Sequence, residues 1–386
     1  MDLNTLLRSA VDLGASDVHL KVGQAPIIRH DGSLRPLDGC APLGPAELEI
    51  FLRDVCASAP ARLTAFQETG ELDTAYQPAG LPRFRVNAFR QRGDISFAFR
   101  VIPSDVPTFD SLRIPQGVRN LADENRGLIL ITGATGVGKT TTLASMLGHI
   151  NRARRQHIVT IEDPIEILHS DEGCIVNQRE VGLDTESFNE ALRRALRQDP
   201  DVILIGELRD SETAETALQA AESGHLVLST MHTLDAAETI GRLVEFFPAV
   251  NQAQVRSILA GVLRGVVSQR LLPRVDGGRV AAFEVMVSNN RIADLIRENR
   301  PEEIPDAIAD GEFFHMQTLN EALIELVLTG EVDREVAAGA APNHHDFVIA
   351  LEHALKARAA GQRNGAADEE ELPRLRLAAG ADLPTA

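Results

Sequence analysis

The sequence predicts an α/β protein in two parts: a mainly parallel sheet interleaved with helices and, ahead of it, a small α+β unit with an antiparallel sheet. Apolar runs at 127–132, 157–161, 202–206, 226–230 and 280–285 alternate with helical stretches, as in a mainly parallel sheet. Residues 1–100 instead mix short alternating runs with two helices. Between the two, residues 103–117 carry Pro103, Pro107 and Pro115 with few periodic apolar positions, and proline stiffens such a stretch and stops helices. The expected division is a first unit at 1–102, a linker at 103–120, a second unit at 121–358 and a tail at 359–386.

In the first unit, Leu3–Leu13 has helical apolar spacing and ends at Gly14. Asp17–Val22 and Ala25–His30 alternate like strands, and Asp31-Gly32 ahead of Leu34 reads as a hairpin turn. Pro45–Ala57 reads as a second helix, and Phe84–Ala88 and Ile95–Val101 as paired strands around Arg90–Asp94. In the second unit, Ser187-x-x-Glu190 is a capping box that starts a helix, and 292–297, 319–329 and 346–358 are helical by spacing. Beyond about 360 the chain is rich in alanine and glycine, with acidic Asp368–Glu371, and reads as disordered.

Composition narrows the function. With 56 acidic against 38 basic residues the net charge is −18, and no basic block exceeds pieces such as Arg152–Arg155. The global field repels polyanions, and with one Tyr and no Trp there is little surface for stacking bases. No nucleic-acid partner is expected. Cys40, Cys56 and Cys174 are odd in number and far apart, with no C-x-x-C, so buried reduced thiols are expected rather than a zinc ribbon or a disulfide framework. The start, MDLNTLLRSAVDLG, lacks the basic and apolar regions of a signal peptide, and no run nears the 18 or so apolar residues of a membrane span. A cytoplasmic protein is expected, reaching a membrane through partners.

Residues 127–142 read GLILITGATGVGKTTT. An apolar run feeds into Gly133-Ala134-Thr135-Gly136-Val137-Gly138-Lys139-Thr140, a complete G-x-x-x-x-G-K-[ST] phosphate-binding loop, and Thr141–Ile150 has the composition of a helix. Glycines let successive N–H groups turn inward onto phosphate oxygens, and the helix presents its positive end to the same anion. Lys139 can reach the β/γ-phosphates, the Thr140 hydroxyl suits Mg²⁺, and Thr141 completes the nucleotide-binding set.

Asp201-Val-Ile-Leu-Ile-Gly-Glu207 is an apolar strand ending in an acid, which lies on the sheet edge where ligands bind in open α/β folds. Thr160–Glu166 places three acids, Glu162, Asp163 and Glu166, after another strand, and hydrolysis needs a carboxylate to orient or deprotonate water. His225 and His232 bracket a strand, and about seven residues at roughly 3.3 Å each put them near 23 Å apart, too far to share a metal. His232, just past the strand's end, can sense a γ-phosphate, whereas His225 reads as structural or interfacial.

In order, GATGVGKTTT, TIEDPIE, DVILIGELRD and SGHLVLSTMHT resemble the secretion ATPases that power type IV pili and type II secretion. The resemblance runs from about residue 3 to 347 and includes Ser16–Leu20, Arg83–Asn87 and NQREVG. Within that family it is nearest the pilus retraction motors. It implies a RecA-like P-loop ATPase domain behind a PAS-like N-terminal domain, with ATP and Mg²⁺ as ligands. It further implies Gly133–Thr140 as Walker A, Glu166 as general base, Glu207 as the Walker B acid acting on Mg²⁺, directly or through water, and His225–His232 as the His box.

Family members form hexameric rings, and Arg85 and Arg100 occupy the positions of arginines that reach the nucleotide from the N-terminal domain. The implied partners are five further copies of the chain, an inner-membrane pilus platform protein and, as a further candidate, a paralogous pilus ATPase. The implied location is the inner face of the cytoplasmic membrane. Arg291–Glu298 resembles the retraction motors' A-I-R-N-L-I-R-E segment, keeping Arg297 and Glu298 as candidate coupling residues but carrying Ala293 in place of an arginine and Arg291 in place of an alanine. The expected function is a motor that hydrolyses ATP to retract a type IV pilus. Its alternatives are an accessory pilus ATPase subunit and an assembly-direction motor, whose usual longer N-terminal region and four-cysteine element are not in this sequence.

Overall fold

The structure, a computed structural model, describes residues 2–57 and 59–370. The helix Leu3–Asp12 buries Leu3, Leu6, Leu7 and Ala10, the i, i+3, i+4, i+7 stripe of an amphipathic helix. Asp2 caps it, accepting from the Thr5 amide at 2.9 Å. Six strands follow: β1 Asp17–Lys21, β2 Ile27–His30, β3 Ser33–Pro36, β4 Glu71–Tyr76, β5 Phe84–Gln91 and β6 Asp94–Val101. They pair antiparallel in the order β3-β2-β1-β6-β5-β4. The β2–β3 turn is Asp31-Gly32, both at positive φ (47° and 79°), the geometry a two-residue hairpin demands. Phe66, Phe84, Phe97 and Phe99 fill the core beneath this sheet. The helix Pro60–Thr69 and β4 lie between the expected elements; β4 reads ELDTAY, with only Leu72 and Thr74 fully buried, too weak an alternation to stand out.

Residues 103–120 are not a free tether. Phe109 and Ile114 are buried in the core of the second unit, and the helix Gln116–Ala122 packs there through Val118 and Leu121. The second sheet comprises β7 Gly127–Thr132, β8 His157–Glu162, β9 Ile175–Glu180, β10 Val202–Ile205, β11 Leu226–Met231, β12 Leu263–Pro273 and β13 Arg279–Val287. Its order is β13-β12-β7-β11-β10-β8-β9, parallel throughout except for the β12–β13 pair. Every residue of β7 and β11 is buried, because helices cover both faces. Leu128 and Leu130 serve one core layer, Ile129 and Ile131 the other. β9 (IVNQRE) and β12 (LRGVVSQRLLP) escape the apolar pattern because polar residues interrupt them.

Helices Leu319–Leu328, Arg334–Ala340 and His344–Glu370 close the described chain. The Thr318/Glu321 capping box starts the first of these. The last continues past the expected boundary at 358, and the rest of the expected 359–386 tail, from 371 on, lies outside the described residues.

Candidate nucleotide site

Strand order converts four separated motifs into one site. β7, β8, β10 and β11 run parallel, so the segments leaving their carboxyl ends share one edge of the sheet. There a cleft of about 920 Å³ is lined by the loop from Thr135, by Glu166, Glu207 and His232. The loop needs its glycines: Gly133, Gly136 and Gly138 have φ of 138°, 81° and 92°, which L side chains rarely adopt. A Cβ on Gly133 would also stand 2.6 Å from the Gln269 carbonyl oxygen. The following helix is Lys139–Ala153, two residues earlier than its composition indicates, because the left-handed Gly138 is its N-cap.

Lys139 is nearly buried. Its Nζ donates to the carbonyls of Gly133 (2.7 Å) and Ala134 (3.1 Å) and lies 3.2 Å from His232 Nδ1. Burial lowers its pKa, opposed by the charges of Glu207 and Glu166. Glu207 is gripped on both oxygens: Oε1 lies 3.0 Å from His232 Nε2, and Oε2 accepts from Arg209 Nε at 2.8 Å. Thr230 Oγ1, donating to the Gly206 carbonyl at 2.7 Å, ties β11 to the turn that carries Glu207.

Glu166 is exposed at the cleft's rim. Glu162 is instead pulled inward, accepting from Thr160 Oγ1 at 2.6 Å and Gln178 Nε2 at 3.1 Å, and burial raises its pKa. Glu162 is thus committed to internal hydrogen bonds, whereas Glu166 is open to solvent at the rim.

Two further residues serve the loop from β12. Gln269, buried, donates through Nε2 to the Val137 carbonyl and accepts from Thr142 Oγ1 at 2.8 Å, so it clasps the loop and its helix together. Ser268 accepts from Thr132 Oγ1 at 2.9 Å. Sequence reading missed both, and the apolar pairs Val266-Val267 and Leu271-Leu272 that flank them were the available signal. Arg209, two residues after Glu207, was also missed.

The structure does not bring every predicted residue to the cleft. Arg85 and Arg100 are direct cross-strand partners on β5 and β6, both exposed and neither lining the cleft; Arg100 donates to Asp17 at 2.9 Å. Arg83, largely buried, instead pairs with Glu180 at 3.0 Å. His225 Nδ1 faces the Ala220 carbonyl at 2.9 Å, closing the end of a helix. Arg297 and Glu298 pair locally with Asp294 and Arg300. Ala293, where the resembling segment has arginine, is buried.

No His, Cys, Asp or Glu cluster suited to hold a metal occurs among the described residues. Thr140 and Glu207, two hard oxygen donors in one cleft, nevertheless fit Mg²⁺, which keeps several waters and takes its remaining ligands from substrate phosphates. No helix among the described residues is long and apolar enough to cross a membrane.

Comparison with known proteins follows the same lines. The profile of the family described as "Type II/IV secretion system protein" matches residues 112–277. The "Type IV pilus retractation ATPase PilT" of Pseudomonas aeruginosa is 46% identical over 337 residues, covering 87% of this chain and 97% of that protein. The "Type IV pilus ATPase PilU" of the same organism is 40% identical, covering 91% of each. A crystal structure of the pilus retraction motor PilT with bound ADP superposes with a TM-score of 0.82 at 43% identity, covering 90% of this chain and 98% of that one.

Proposed function

The chain belongs to the type II/IV secretion ATPase family, in its pilus-retraction branch, and from that premise we propose that it is a ring-forming ATPase that draws in a type IV pilus. One observation carries the reading: Lys139, Glu166, Glu207 and His232 meet at one cleft in a chain that matches a retraction ATPase over nearly its whole length. The division into an N-terminal domain to 102, a linker and an ATPase domain from 121 is part of the proposal. The two separate sheets support it, and the buried Phe109 shortens the movable link to about 103–108.

ATP enters with its phosphates against the loop amides of Gly133–Thr140. Lys139 exchanges the Gly133 and Ala134 carbonyls for β/γ-phosphate oxygens, so a contact that is internal in the free loop becomes one to the ligand. Thr140 and Glu207, the latter directly or through water, would hold Mg²⁺, which would supply charge neutralisation at the transferring phosphoryl group. Glu166 takes or orients the proton of the attacking water, and the γ-phosphoryl passes to that water to leave ADP and phosphate. His232, between Lys139 and Glu207, is placed to register whether the γ-phosphate is present.

In a hexamer, Arg85 and Arg100 of a neighbouring chain face the nucleotide and complete the charge compensation. Movement of the N-terminal domain about the short link passes to a platform protein in the inner membrane, with the chain acting on its cytoplasmic side. Arg297 and Glu298 are proposed to serve that coupling.

Deleting the gene and counting surface pili tests this directly. Excess pili that do not retract support the reading, and bare cells point to an assembly motor. Unchanged pili with altered motility favour an accessory subunit. In purified protein, normal Mg-ATPase activity in Lys139→Ala would contradict the site assignment.

A further inference from the structure

The loop that carries Glu166 is held from both sides by the N-terminal part of the chain. On one side Glu180, at the end of β9, accepts from the Ile165 amide at 3.3 Å through Oε2, the oxygen that also takes Arg83 NH2 at 3.0 Å. Arg83 immediately precedes β5 of the N-terminal sheet, and its own carbonyl accepts from the Ile102 amide at 2.8 Å, just after β6. On the other side, the Leu168 amide donates to the carbonyl of Pro103, the first residue of the link, at 3.1 Å. Glu166 lies between these two tethered amides. A second arginine of the N-terminal unit, Arg62, donates to the Gly182 carbonyl at 2.7 Å, two residues beyond Glu180.

The Arg83–Glu180 pair is desolvated, its side chains 15% and 8% exposed. Such a pair holds a defined geometry, and removing one partner leaves the other charge buried and uncompensated. An ion pair serving only to glue two domains needs no further bond, yet this carboxylate also reaches the backbone beside Glu166.

We propose that Arg83 and Glu180 are positioning residues: they make the placement of Glu166 depend on how the N-terminal sheet is docked. This rests on Glu166 being the base. When the N-terminal sheet shifts, Arg83 withdraws from Glu180, the carboxylate loses its orientation and the Ile165 amide is released. The water-activating carboxylate then leaves its working position while the phosphate loop, held separately by Gln269, keeps its grip on nucleotide. Domain motion and hydrolysis are thereby coupled within one chain, independently of arginines supplied across a ring.

The test uses the purified full-length chain with Mg-ATP for turnover and Mg-ADP for binding. Arg83→Gln and Glu180→Gln are expected to lower kcat about tenfold or more, with KM and Mg-ADP affinity within about threefold. Arg83→Lys, which keeps the charge at Glu180, is expected to regain most of the turnover. In a Glu166→Gln background, adding Arg83→Gln is expected to cost nothing further, because residues acting through one group are not additive. Amide exchange over 163–168 is expected to quicken in Arg83→Gln while β10 and β11 stay protected.

The proposal is overturned if both glutamine variants keep kcat within about twofold, if their loss appears in KM alone, or if it multiplies with that of Glu166→Gln. Should the Arg83→Gln protein not fold, the Glu180→Gln protein, which keeps an acceptor for the Ile165 amide but loses the ion pair, decides by the same criteria. Parental turnover in Glu166→Gln would instead remove the base assignment, and the exchange measurement would still report whether Arg83 holds the 163–168 loop.

Discussion

His232 Nε2 lies 3.0 Å from Glu207 Oε1, while the other ring nitrogen, Nδ1, faces Lys139 Nζ at 3.2 Å. The tautomer protonated on Nε2 satisfies both contacts, donating to the carboxylate and accepting from the ammonium. One imidazole thus spans the loop lysine and the acid of the neighbouring β10 turn. If His232 registers the γ-phosphate as proposed, replacing it by Ala lowers kcat about 10- to 100-fold with a smaller change in nucleotide affinity. A rise in KM with kcat intact, seen in steady-state kinetics, would assign His232 to binding instead.

Gln269 braces the phosphate loop from β12 through Val137 and Thr142. Gln269→Leu fills the space but leaves two buried polar groups without partners, at about 1–3 kcal/mol each. Mg-ATP affinity is expected to fall about tenfold or more, because the loop is no longer preorganised. Titration calorimetry finding parental affinity would show that the loop holds its shape without β12.

Two buried groups give stability opposite slopes with pH. Burial pushes the Glu284 carboxyl up to about 7, so the fold favours its neutral form. That contribution is full below about 4.5, the ordinary carboxylate value, and is lost as pH rises to 7. His169 is lowered to about 4, chiefly by burial with the Arg152 charge adding. Its neutral form is favoured, and that contribution is full above about 6.5 and lost as pH falls to 4. Each shift corresponds to roughly 3 kcal/mol at most, so the two largely cancel across the window. Urea melts from pH 4 to 8 are expected to reveal each slope alone. Relative to the parent chain, His169→Asn gains stability toward pH 4 and Glu284→Gln gains it toward pH 8. Parallel curves for all three proteins would discount both effects.

Arg85 and Arg100 stand side by side on the exposed face of β5 and β6, away from the cleft of their own chain. If they act across a ring, alanine at both lowers turnover about 10³-fold or more, the order of an arginine finger. Mixing that double variant with Lys139→Ala chains then restores part of the activity, because some interfaces pair an intact lysine with intact arginines. Unchanged turnover in the double variant ends the trans-arginine idea; loss without rescue on mixing places the arginines' action within one chain.

The legibility of the site followed the reach of each interaction. Glu207 and His232 were readable because each follows a buried parallel strand, whose apolar run is a local signal, and Lys139 because it closes a loop whose Gly133, Gly136 and Gly138 take positive φ. Gln269 and Ser268 were not: they lie on a strand broken by polar residues, and their partners are 127 to 136 residues away in sequence. Arg83 shows the limit most sharply. It stands in the same short motif as the exposed Arg85, yet it is largely buried and paired with a glutamate 97 residues on.

By itself the sequence determined the phosphate loop, the run of buried strands behind it, the acids and histidine at their ends and the family to which these belong. Backbone sterics and the period of apolar side chains act over a few residues, and the linear chain records them. Only the tertiary structure decided that β12 braces the loop, that Lys139 rests on its own loop carbonyls beside His232, and that Arg83 rather than Arg85 or Arg100 joins the two sheets within a chain. Those outcomes depend on strand order and on which polar groups are desolvated together, and only the packed fold sets either.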